Sequence, residues 1–161
     1  MAKKSHEFYL KRAIEISRES RAMGNTPFGA LIIDADGNIL VEQTNVEMTE
    51  GIATGHAETQ AIEKVSKKYP KDFLWNCTLY TTVEPCAMCA GAQYWANIGT
   101  LVYGMTERQL LAMTGDDEKN PTFDLPCTEV FARGQKKITV IGPFPELVEE
   151  IAEVHKGYWK D

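Results

Sequence analysis

Two short clusters, GHAET at 55–59 and EPCAMCAG at 84–91, limit what this chain can fold into more than any other feature. They carry one histidine, one acid and two cysteines. Local patterning says how the two could meet. Residues 56–69 (HAETQAIEKVSKKY) read as a helix stopped before Pro70, which puts His56 at its start. CTLYTTV at 77–83 reads as a strand, after which Pro85 opens a second helix with Cys86 and Cys89 in its first turn. Two helix N-termini projecting from one sheet edge would bring an imidazole, two sulfurs and Glu58 together.

The rest of the chain supplies such a sheet. Residues 5–23 place Phe8, Leu10, Ala13, Ile14 and Ile16 along one side of a helix that Ser5 caps and Gly24 ends. FGALIID and ILVEQ flank Asp36-Gly37 and read as a hairpin. TLVYG at 100–104 and KITVI at 137–141 are further strands. ERQLLAM, CTEVFAR and a segment beginning near Pro145 are helices, and GDDEKNPTFDLP at 115–126 is an irregular loop. The order αββαβαβαβα, with helices crossing over between most later strands, predicts an α/β fold with a mixed or parallel sheet between helix layers. No repeat, linker or low-complexity segment interrupts it, so residues 1–161 are expected to form a single domain.

Cys86 and Cys89, three apart in a first helical turn, present both sulfurs to one side. The unpaired N–H groups of a helix start favour thiolates there. With His56 they make three ligands and leave a fourth position open, as at a catalytic rather than a structural zinc. Glu58, two residues from a ligand histidine, can lie over that open position and move a proton. A cysteine pair alone also fits a redox couple, and an isolated HAE triplet says little. Together, H-x-E followed by P-C-x-x-C is the signature of zinc-dependent base deaminases.

Composition excludes other classes. No apolar run approaches the roughly 20 residues of a membrane span, and MAKKSHEFYLKRAIEIS has no continuous apolar core of a secretory signal. The formal net charge is −6, and the basic pairs at 3–4, 67–68 and 136–137 are scattered among acids. Nucleic acid is therefore not the expected partner. The cytoplasm is the expected location, where the four cysteines are not expected to pair as disulfides.

On HAE at 56–58, PCAMC at 85–89 and this element order, the chain resembles the cytidine deaminase superfamily over about residues 6–159. Within it, PFGALI at 27–32, Asn45 in QTNVE and CAGAQYWAN at 89–97 are similar to small bacterial guanine deaminases. The resemblance implies a three-layer α/β/α fold with a five-stranded mixed sheet. It implies one Zn²⁺ per chain on His56, Cys86 and Cys89, with a zinc-activated hydroxide as nucleophile and Glu58 as proton shuttle. It further implies a small heterocyclic base as partner, and a homodimer associating through the helices near the metal. Asn45, Phe28 and Ala57 would contact the base, Asp117 would contact it and assist proton transfer, and Trp159 of the terminal GYW would reach a pocket, often the partner's. The chain departs from that family just before Asp116-Asp117, where Met113, Thr114 and Gly115 replace an aromatic, and across loop 115–126, which is expected to shape the pocket.

The implied reaction is conversion of guanine to xanthine plus ammonia. Deamination of cytosine, a nucleoside or another aminated heterocycle uses the same centre, and so does a tRNA adenosine deaminase. A non-catalytic zinc module is the alternative from another class. Glu84 is expected to be structural, Tyr94 and Trp95 to be packing, Cys77 and Cys127 to be small buried apolar groups, and His6 and His155 to lie on the surface.

Overall fold

The computed structural model describes residues 2–159. The elements run α1 (His6–Ala22), β1 (Gly29–Ile33), β2 (Ile39–Thr44), α2 (Glu47–Glu50), α3 (Ala57–Lys68), α4 (Lys71–Leu74), β3 (Thr78–Val83), α5 (Ala87–Ala96), β4 (Thr100–Met105), α6 (Glu107–Thr114), α7 (Cys127–Ala132), β5 (Thr139–Ile141) and α8 (Pro145–His155). Short-range chemistry sets most boundaries. Ser5 Oγ accepts the Phe8 N–H and starts α1. Thr106 and Gln109 form a capping box at α6, and Pro145 occupies the first turn of α8. In the first hairpin Asp34 Oδ1 accepts from the N–H groups of Asp36 and Asn38, while Gly37 takes the φ of +92° that the bend requires.

The five strands form one mixed sheet in the order β2-β1-β3-β4-β5. β1 pairs antiparallel with both β2 and β3, whereas β3, β4 and β5 run parallel. Alternation along β1 sends Ala30 and Ile32 to one face and Leu31 and Ile33 to the other, each into its own apolar cluster. The first cluster is closed by Ala61, Val65, Ala90 and Phe131 of α3, α5 and α7. The second is closed by Leu10, Ile14, Leu110 and Ile151 of α1, α6 and α8. The architecture is the expected three-layer α/β/α arrangement around a five-stranded mixed sheet.

Several local expectations are corrected. Phe8 is 49% exposed, flanked by Tyr9 and Lys4 rather than buried with Leu10 and Ile14. Trp95 is 72% exposed and packs only edge-on against Tyr94. His155 is buried, with Nδ1 accepting from Trp159 Nε1, and His6 is half-buried against the Tyr80 hydroxyl. The single-turn helices α2 and α4 had no sequence signal, because one turn carries no period to read.

Candidate metal centre

Topology alone explains why the two clusters meet. β3 and β4 are parallel, so their C-terminal ends share one edge of the sheet, where α5 and α6 begin. β1 runs against β3, which puts Phe28, just before it, at the same edge. The β1–β2 register sets Gly29 opposite Thr44, so Asn45 emerges beside Phe28. The chain then loops through residues 46–55, a loop closed by the hydrogen bond from Val46 N–H to the Gly55 carbonyl, and enters α3. His56 and Cys86 occupy the N-cap positions of α3 and α5, with Cys89 one turn inside α5.

His56 Nδ1 lies 3.6 Å from Cys86 Sγ and 3.4 Å from Cys89 Sγ, and the three donor atoms all lie within 4.8 Å of one another. A tetrahedron built on ordinary Zn–S and Zn–N bonds has an N···S edge of about 3.6 Å. The three side chains therefore already hold the spacing that one zinc ion demands, with borderline-soft donors suited to it. The hydrogen bond with Cys89 pulls Cys86 down to about 4, with His56 adding to the pull and burial opposing it. The same hydrogen bond and burial push Cys89 upward. Cys86 is thereby favoured as a thiolate, the form in which a cysteine ligates a metal. Burial works against a charged His56, but its hydrogen bond to Cys86 and the carboxylates of Glu58 and Glu47 lift it to about 9. Its other nitrogen, Nε2, lies 3.4 Å from Glu47 Oε1.

Beside these ligands is a cavity of about 320 Å³ whose wall includes Phe28, Asn45, His56, Glu58, Cys86 and Met88. Burial raises Glu58 to about 7, where a carboxyl can both hold and release a proton near neutrality. Glu84 also lines the cavity. Its two oxygens accept the N–H groups of Glu107 at 3.0 Å and Cys127 at 2.8 Å, pinning the starts of α6 and α7 to the end of β3. Glu84 is structural, as expected from its place before Pro85.

Of the residues singled out from sequence, Phe28 and Asn45 line the cavity directly. The Asn45 amide also binds Glu47 twice, Nδ2 donating to Oε1 at 2.9 Å and Oδ1 accepting the backbone N–H at 2.8 Å. Ala57 is buried between His56 and Glu58 at the first turn of α3. Asp117 is 5% exposed and accepts the Lys119 N–H beneath the segment 119–123, which itself forms a cavity wall. Trp159 stands behind Phe28, at 6.2 Å between ring centroids, and lines a separate cleft with His155 and Asp116. Sequence reasoning passed over Glu47 and Glu107, whereas loop 115–126, expected to shape the pocket, supplies the 119–123 wall. Glu47 carried a readable signal, since it follows Asn45 by two residues in QTNVE.

A family model for the cytidine and deoxycytidylate deaminase zinc-binding region matches residues 3–105, which span both clusters. A probable cytosine deaminase of Schizosaccharomyces pombe is 34% identical over 151 residues, 94% of this chain and 90% of that protein. A guanine deaminase of Bacillus subtilis is 43% identical over 100 residues, 62% of this chain and 64% of that protein. Its crystal structure superposes with a TM-score of 0.63 at 30% identity, covering 98% of this chain and 99% of that one. A tRNA-specific adenosine deaminase of Haemophilus influenzae is 37% identical over 101 residues, covering 63% of this chain and 58% of that protein. The chain belongs to the family defined by the cytidine and deoxycytidylate deaminase zinc-binding region, and is a zinc-dependent deaminase of it.

Proposed function

We propose that the protein hydrolytically removes the exocyclic amine of a free nucleobase, with guanine as its first substrate and xanthine and ammonia as products. The observation that carries this reading is the position of Glu58, in the wall of the same small cavity as His56, Cys86, Phe28 and Asn45. His56, Cys86 and Cys89 hold the zinc. Zinc at that place supplies Lewis acidity that makes a nucleophile of water at neutral pH. Glu58 would take one proton from the water and give it to the ring nitrogen, then take a second from the hydroxyl added to the ring carbon and give it to the exocyclic amine as the C–N bond breaks, so that the leaving group is ammonia. Phe28 offers an aromatic surface to a flat ring. Asn45, held by Glu47, keeps one donor and one acceptor position for the base.

Cytosine is the second reading, supported by the near full-length similarity to the probable cytosine deaminase of S. pombe. A tRNA substrate fits less well. Four carboxyl side chains line the cavity, which disfavours a phosphate backbone at its mouth. Asp117 and Trp159 belong to this reading as supports of the 119–123 wall and of Phe28. A cytoplasmic setting belongs to it too, in keeping with four free cysteines.

A homodimer completes the proposal. The outward face of α5 presents Ala87, Met88, Gly91, Ala92 and Trp95, with no polar side chain among them. An apolar strip of this kind beside the metal ligands is suited to a second copy. The substrate is tested by ammonia release from the zinc-loaded protein with guanine, cytosine, cytidine, guanosine and adenine. Turnover of guanine supports the first reading, and turnover of cytosine alone replaces it with the second. If adenine or only the nucleosides react, the free guanine or cytosine reading is wrong although the chemistry stands.

A further inference from the structure

Four carboxyl groups line the cavity: Glu47, Glu58, Glu84 and Glu107. Three have an occupation. Glu47 holds Asn45 and lies against His56. Glu84 accepts a backbone N–H on each oxygen. Glu58 is the proton carrier of the proposed reaction. Glu107 stands apart. Its side chain is 6% exposed and opens on the cavity, and among the described residues no hydrogen-bond donor or cation reaches its carboxyl.

Its position is fixed all the same. The Glu107 N–H is anchored on Glu84 at 3.0 Å, and the Thr106 capping box immediately before it fixes the first turn of α6. A carboxyl held rigidly in a nearly dry wall, with lone pairs unanswered by protein, is a poor structural element and a good acceptor for a ligand N–H. The cavity, about 320 Å³, is near the small end of ligand pockets. Its contents are thus close to a bare heterocycle in size, and the wall around Glu107 is rich in acid.

We propose that Glu107 is a specificity-determining residue that accepts a hydrogen bond from a ring N–H of the substrate, so that the cavity selects free heterocyclic bases over those alkylated or glycosylated at that nitrogen. The inference rests on the proposed deamination of a free base and names the group that reads it. A site built to bond a substrate N–H rejects the analogue lacking it, because its own polar group is then left buried and unpaired. Glu107 does not enter the proton transfers, which remain with Glu58.

The test is calorimetric binding to the zinc-loaded protein carrying Glu58→Ala, so that the ligand is not consumed. Guanine is compared with its 7- and 9-methyl derivatives, and cytosine with 1-methylcytosine. With Glu107 present, the unmethylated base binds about ten- to hundredfold more tightly in at least one pairing. Glu107→Met keeps the length and removes the acceptor, and brings that ratio to within about threefold. Glu107→Gln keeps one acceptor oxygen, preserves an intermediate preference, and carries the test if the Met variant loses zinc or its thermal midpoint. A preference unchanged without Glu107, or absent with it, overturns the inference. Turnover by the wild type is read separately. Turnover with an unchanged ratio removes only the role of Glu107, whereas no turnover and no binding of any base removes the deamination reading and this inference together.

Discussion

The Glu47 carboxylate uses Oε1 for two tasks, accepting from the Asn45 amide at 2.9 Å and lying 3.4 Å from His56 Nε2. With His56 Nδ1 turned to the sulfurs, this is the carboxylate–histidine–metal arrangement that fixes ring orientation and basicity. Glu47→Gln is therefore expected to weaken zinc binding by about 10- to 100-fold, measured by competition with a chromophoric chelator. Unchanged affinity would mean that the N-cap position alone orients the ring. A second side chain governs acid stability. Burial, helped by the charge of Arg21, lowers His155 from 6.5 to about 4. The unfolded chain then binds a proton that the folded one refuses, so stability present above about pH 6.5 is lost as the pH falls towards 4. By pH 5 the loss is roughly 2 kcal/mol. Urea unfolding at pH 7 and pH 5 should show that difference shrinking by about this amount in His155→Phe. His56, Glu58, Cys86 and Cys89 were legible in the sequence because each pair lies within one helix start, where spacing decides geometry. Glu107 was not, since it reaches the site from the start of α6 beyond a neighbouring strand, and Glu47 was passed over although its spacing from Asn45 was readable. His155 was misread because nothing in AEVHKGYW shows that Trp159 folds back to donate to it.

At the scale of elements, the site depends on α1 lying close against β1, since β1 and β2 together deliver Phe28 and Asn45. Gly29 allows that approach. A Cβ there would meet the Ala13 carbonyl oxygen and come within 2.6 Å of Ser17 N, both backbone atoms of α1 that cannot give way separately. Gly29→Ala should destabilise the fold by about 1–3 kcal/mol or more, read from the denaturation midpoint, and should lower ligand affinity by displacing Phe28. A neutral substitution would show that α1 yields without disturbing the edge. The main helices and all five strands followed from apolar period, caps and turn residues. Loop 115–126 was expected to shape the pocket, but its course was not legible, because a wall without regular structure leaves no period: the local Asn120–Thr122 bond is joined by Thr114–Thr122 and Arg108–Asp124 contacts that only the folded chain brings together.

For the whole molecule, the two faces of the sheet divide the labour. The cluster under α1, α6 and α8 packs one face of the sheet, whereas the side of α3 and α5 carries both the metal ligands and an uncovered apolar strip. No helix among the described residues is long and apolar enough to cross a membrane, so a membrane span does not account for the strip. Trp95→Asp is expected to convert a dimer to a monomer in light scattering at micromolar concentration while leaving zinc content unchanged. A wild type that is monomeric under those conditions would end the dimer proposal. In the proposed reaction, zinc held by His56, Cys86 and Cys89 works with the Glu58 carboxyl to deaminate a free base. Its most direct test is the rate of ammonia release from guanine, and from cytosine, by wild type and Glu58→Gln at equal zinc occupancy. One zinc per chain is expected in both, with a fall in kcat of about 10²- to 10⁴-fold in the variant. Turnover undiminished by Glu58→Gln at full zinc occupancy would contradict it.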